Sequence, residues 1–202
     1  GKKVVEVRAR WGRLAARRIP LVATMVALSI LVGLASNMGR DFTGTVMRTL
    51  LFRDRVPDLI RDGLAADATP RHDPLAQIKR GELWRLVTPI FVHYTTVHLA
   101  FNMIMFYQLG SIIEDRRGTW RIGLMILAIA AVSNVAQSLV PDSWGGNPYA
   151  AGMSGVVYGL FGYVWMKTLY APDLGLFVSR STVFVLMLWL MLGISGVLGR
   201  FG

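Results

Sequence analysis

From Leu86 to Gly202 the chain carries ten charged residues in 117 positions, and that scarcity constrains its fold more than any other feature. The remaining 24 of its 34 formally charged residues lie in the first 85 positions. A soluble domain surrounds its core with charge on all sides, whereas a bilayer excludes it. Apolar runs at 19–35, 97–113, 122–139, 154–169 and 182–197 each approach the roughly 20 residues that cross a hydrocarbon core. The expected fold is therefore all-α, a polytopic transmembrane helical bundle with five spans. The first run is long for a signal peptide and more apolar segments follow it, so it reads as a true span.

The composition agrees: 53% of the 202 residues are hydrophobic and the net charge is +10. Such a charge invites a nucleic-acid partner. However, seven basic residues (Lys2, Lys3, Arg8, Arg10, Arg13, Arg17 and Arg18) cluster just before the first apolar run, and a single aromatic, Trp11, falls short of the interleaving that base stacking uses. They suit a cytoplasmic anchor on anionic membrane lipid, so no nucleic-acid partner is expected. The organisation expected is a basic cytoplasmic segment at 1–18 and one membrane domain at 19–202. Its long first loop, 36–85, is broken by Pro57, Pro70 and Pro74, and a short interfacial helix is expected near Val46 to Phe52. Arg116, Arg117 and Arg121 follow the second span, and Lys167 and Arg180 flank the last connection. The 140–153 loop has no basic residue. With the amino terminus inside, the basic short loops also fall inside.

Polar groups within a bilayer are costly and need a reason. His98 and Asn102 are four residues apart and share one helix face. Ser154 opens the fourth span within Gly152-Met153-Ser154-Gly155, where free N–H groups and the helix dipole favour developing negative charge. Structural readings compete. Gly155 and Gly159 form a small-xxx-small step for close helix packing, and a His–Asn pair can serve as an interhelical hydrogen bond. The soluble hydrolase elbow is absent, because Val156 stands where Gly-x-Ser-x-Gly needs its second glycine. Cysteine is absent, so thiolate chemistry and cysteine metal sites are excluded.

Taken together, Trp84-Arg85, His98-Leu99-Ala100-Phe101-Asn102, Gly110 with Glu114, and Gly152-Met153-Ser154-Gly155-Val156-Val157-Tyr158 resemble the rhomboid family of intramembrane serine proteases in order and spacing. The resemblance runs from about Gly81 to Gly202 and is nearest the bacterial six-helix form, of which five spans are present here. It implies an integral protein of a bacterial inner membrane that cleaves transmembrane protein substrates through a Ser-His dyad, without a metal or other cofactor. Ser154 corresponds to the nucleophile, and His98 and Asn102 to the side chains that stabilise the oxyanion. Gly152, Gly155 and Tyr158 support the site. Trp84-Arg85 and Glu114 correspond to structural positions, and substrate is expected to enter beside the fifth span. The family's general base is a histidine on a sixth helix, and no such residue occurs in these 202 positions. His72 reads as solvated, His93 as a surface residue, and His98 as the oxyanion histidine. A parent chain continuing past Gly202 is expected. The alternatives are a non-catalytic pseudoprotease that binds membrane helices, and a sixth helix supplied by another chain. Neither oligomeric state nor the physiological substrate is legible.

Overall fold

The computed structural model describes residues 19–41, 44–52, 73, 75–140 and 151–195. The basic segment 1–18, His72, the Trp144-Gly145-Gly146 part of the outer loop and positions 196–202 lie outside the described residues. The fold is an all-helical membrane bundle. Its long elements are α1 (Pro20–Ala35), α4 (Thr96–Arg117), α5 (Thr119–Leu139), α6 (Ser154–Tyr170) and α7 (Arg180–Ile194). Two short helices, α2 (Thr45–Leu50) and α3 (Ala76–Lys79), and 3₁₀ turns at Leu83–Leu86 and Thr88–Phe91 lie between α1 and α4. At a rise of 1.5 Å per residue, α4 and α5 are each about 31–33 Å long, enough for the hydrocarbon core.

The helices differ in what surrounds them. In its most apolar stretch α4 is 50% buried, against 17% for α5, so α4 is the central staff and α5 an outer wall. The outward faces are apolar: Leu31 and Leu34 on α1, Leu124, Leu127 and Val132 on α5, and Phe184 and Leu188 on α7 are all exposed. Surfaces of that kind belong in lipid. The inner faces meet around Phe106, Leu109, Ile122, Val157, Leu160 and Leu186. Close approach along α6 depends on two glycines. A Cβ at Gly155 would lie 2.6 Å from Ser133 Oγ, and one at Gly159 would lie 2.5 Å from Ile129 Cγ2. At Gly110 the obstacle would be Val22 Cγ2 of α1, 2.8 Å away.

Helix ends inside lipid must find partners for their free backbone groups. Helix α1 starts with Pro20 and has no side-chain cap of its own. Its Leu21 and Val22 N–H groups donate instead to Glu114 Oε1 and Oε2 of α4, at 3.0 and 2.9 Å. Thr119 Oγ1 donates to the same carboxylate at 2.7 Å. Glu114 is therefore 2% exposed and lies within a helix. The eight-residue connection expected after the second span shrinks to Gly118, which turns the chain at φ +86°. Helix α2, at six residues, is too short to persist alone. Three side chains from downstream hold its carboxyl end: Trp84 Nε1 donates to Thr49 O, Thr88 Oγ1 to Leu50 O, and Arg85 Nη1 to Leu51 O at 2.6 Å.

Candidate active site

The amino-terminal ends of α4 and α6 meet at the end of the bundle opposite Glu114. Thr95 caps α4, its hydroxyl accepting the His98 N–H at 3.1 Å. One turn on, Asn102 is 1% exposed, and neither Nδ2 nor Oδ1 has a hydrogen-bond partner among the described residues. A buried amide without partners costs on the order of 1–3 kcal/mol for each unmet group, so its retention points to something other than packing.

The chain approaches α6 through Ala151, Gly152 and Met153. Gly152 has φ +117°, and a Cβ there would lie 2.7 Å from His98 Cε1, 2.9 Å from His98 Nε2 and 3.8 Å from Asn102 Nδ2. Only glycine fits, both for its backbone angle and because the His98 ring fills the space a side chain would take. The peptide is held from behind: the Gly152 N–H donates to Pro89 O at 3.0 Å, and the Met153 N–H to His93 Nε2 at 3.4 Å. Ser154 follows as the first residue of α6, half-buried, two positions after the glycine that packs against His98.

One level deeper, Tyr158 reaches across to α7, where its hydroxyl donates to Leu186 O at 2.8 Å. Above it Phe101 of α4 and Trp189 of α7 stack with ring centroids 4.0 Å apart and planes within 13°. These two contacts and the buried Leu186 side chain join α7 to the site. On the far side, Asn134 Nδ2 of α5 donates to Leu86 O at 2.9 Å, which fixes the 3₁₀ segment that carries Pro89 and His93.

His93 departs from expectation. The surface position read from sequence is overturned, because the residue is 0% exposed. Its Nδ1 lies 3.2 Å from Phe91 O, and its ring meets His98 edge-on with centroids 5.1 Å apart. Both nitrogens are thus engaged by backbone, Nδ1–H donating and Nε2 accepting. Burial pushes its pKa down to about 4, with the neighbouring His98 adding to the shift and the Phe91 carbonyl opposing it. The apolar run Ile90-Phe91-Val92 just before it was the available signal that this segment turns inward.

In this helical membrane bundle the glycine two positions before a helix-opening serine packs against a histidine of the neighbouring helix. A family model described as the Rhomboid domain matches residues 80–201, and the chain belongs to the rhomboid family. It is 32% identical over 120 residues to the rhomboid protease GlpG of Salmonella choleraesuis (strain SC-B67), and to those of Salmonella newport (strain SL254) and Salmonella typhi. The match covers 59% of this chain and 42% of each relative, so the chain spans well under two thirds of their length.

Proposed function

We propose that the protein is an intramembrane serine endopeptidase in which Ser154 attacks the scissile carbonyl of a transmembrane substrate. The observation that carries this reading is the buried Asn102 amide, which has no partner among the described residues and lies one turn along α4 from His98, the ring against which Gly152 packs two residues before Ser154. A tetrahedral intermediate on Ser154 would place its oxyanion among the His98 side chain, the Asn102 amide and the Ser154 N–H. Each such donor contributes on the order of 10²–10³ in rate when it is aimed at the developing charge. Gly152 and Gly155 let the backbone come close, and Tyr158 supports the floor of the site.

Serine needs a base. His93 is an unsuitable one, since both of its ring nitrogens are occupied by backbone. His98 is assigned to the oxyanion, so among the described residues no histidine is left to act as that base. The second reading is a pseudoprotease that binds membrane helices without cutting them. The basic groups Arg116, Arg117, Arg121, Lys167 and Arg180 support a cytoplasmic amino terminus in a bacterial inner membrane, with the site opening on the other face. Substrates would be cut near that outer boundary. The deciding experiment is fluorophosphonate labelling of the full-length protein in detergent, with Ser154→Ala as control. Labelling of the wild type alone is expected; a folded wild type that stays unlabelled refutes the protease and leaves the binding reading.

A further inference from the structure

We infer that His93 is a positioning residue, which fixes the peptide ahead of Ser154 by holding the Met153 N–H while its ring backs the ring of His98. The inference rests on the reading of Ser154 as nucleophile and assigns a role to a histidine that this chemistry does not otherwise use.

Two successive amides just before α6 are tied down by one short segment: Gly152 N–H by Pro89 O, and Met153 N–H by His93 Nε2. That segment is itself anchored at Leu86 O by Asn134 and through the Thr88 hydroxyl to Leu50 O. The next three N–H groups, of Ser154, Gly155 and Val156, belong to the first turn of a helix, where no carbonyl lies one turn back to accept them. Their direction therefore follows from how residues 152 and 153 are clamped. Met153 is the residue that flanks the helix, at φ −81° and ψ 1°, so rotation there swings the Ser154 side chain and N–H together.

The imidazole also acts from its face. Gly152 lies against the Cε1–Nε2 part of the His98 ring and His93 meets the same ring in an edge-to-face contact, so His98 packs against both the peptide ahead of Ser154 and the imidazole that holds that peptide. A histidine buried only to fill volume would be replaceable by an apolar residue of similar reach. This one has the tautomer set by Phe91 O at Nδ1, which leaves the Nε2 lone pair for Met153. Displacements of about 1 Å at a reacting group cost on the order of 100-fold in rate.

The test compares two substitutions of similar length in the full-length protein. Glutamine reaches the Nε2 position with an acceptor oxygen, and methionine reaches it without one. His93→Met is expected to slow fluorophosphonate labelling and kcat by about 10- to 100-fold while KM stays within about twofold. His93→Gln is expected to recover most of that loss. In the wild type, ¹⁵N spectra of labelled histidine should show His93 protonated at Nδ1 and bare at Nε2, a readout that needs no variant. Met labelling as fast as the wild type, Gln as slow as Met in a folded protein, or a proton on Nε2 would each overturn the inference while leaving Ser154 as nucleophile. A folded wild type that never labels would refute the nucleophile itself, and the inference with it.

Discussion

Replacing Glu114 with glutamine keeps the size of the side chain and changes only what it can accept. In the native protein its two oxygens receive the N–H groups of Leu21 and Val22 and the hydroxyl of Thr119, at 2.7 to 3.0 Å. Hydrogen bonds to a charged acceptor each contribute roughly 1.5–3 kcal/mol, and a buried N–H left without a partner costs roughly 1–3 kcal/mol. Glutamine retains one acceptor but turns an NH₂ toward the other amide, so one bond becomes a donor–donor contact and the others lose charge assistance. It also removes a negative charge from the positive end of the α1 dipole, which adds up to about 1 kcal/mol. The sum is about 3 kcal/mol for Glu114→Gln, and about 4 for Glu114→Ala, which strands every donor. A domain of this size would lose on the order of 6–12 °C in Tm for the glutamine variant. Thr119→Val, which removes one donor and leaves both backbone bonds intact, should cost about 1 kcal/mol. Thermal unfolding of the purified protein in one detergent, followed by tryptophan fluorescence, measures all three. A glutamine variant within about 0.5 kcal/mol of wild type would show that the α1 terminus is satisfied by something other than this carboxylate.

Two further outcomes follow from the site. Gly152→Ala places a methyl 2.7 Å from His98 Cε1 on a backbone at φ +117°, and labelling should fall by more than about 100-fold. Gly81→Ala, also at positive φ but with open space around it, should leave the labelling rate unchanged, and equal losses in the two would argue against the His98 contact as the cause. The second outcome concerns pH. His93 has a folded pKa of about 4 against an ordinary 6.5, so between those values the unfolded chain binds the extra proton. Its contribution is complete above about pH 6.5 and declines as pH falls toward 4, by up to about 3 kcal/mol, with His98 the titratable group facing it. His93→Gln should flatten that decline, and an identical pH profile in the variant would refute the assignment.

The helices are legible in the sequence because exclusion of charge from lipid is a local rule. By that rule the second span ends at Ile113, before the charge of Glu114. The helix runs on to Arg117, since the α1 amides neutralise the cost of burying that carboxylate from some 90 positions away. His98 and Asn102 were legible as a pair because helical spacing alone puts them on one face. His93 was not, because its burial is compensated by the Met153 amide, 60 residues distant, and only the apolar run before it hinted at that burial. Gly152 illustrates the remaining gap. Its place in the motif was visible, but its positive φ and its contact with the His98 ring arise only when α4 and α6 are brought end to end. Trp84 and Arg85 read as structural, yet their acceptors are carbonyls of a six-residue helix that no propensity argument would have trusted.

Among the described residues, several of the long tethers join a side chain to the main chain. Glu114 grips the amides of α1, Trp84, Arg85 and Thr88 the carbonyls at the end of α2, Asn134 the Leu86 carbonyl, His93 the Met153 amide and Tyr158 the Leu186 carbonyl. The identity of the residue at the receiving end is therefore immaterial to the bond. Lipid-facing positions on α1 and α7 are free to drift without loosening the frame. By the same logic a broken tether has no second-site suppressor at its partner, and homologues should show these positions as solitary invariants rather than as covarying pairs.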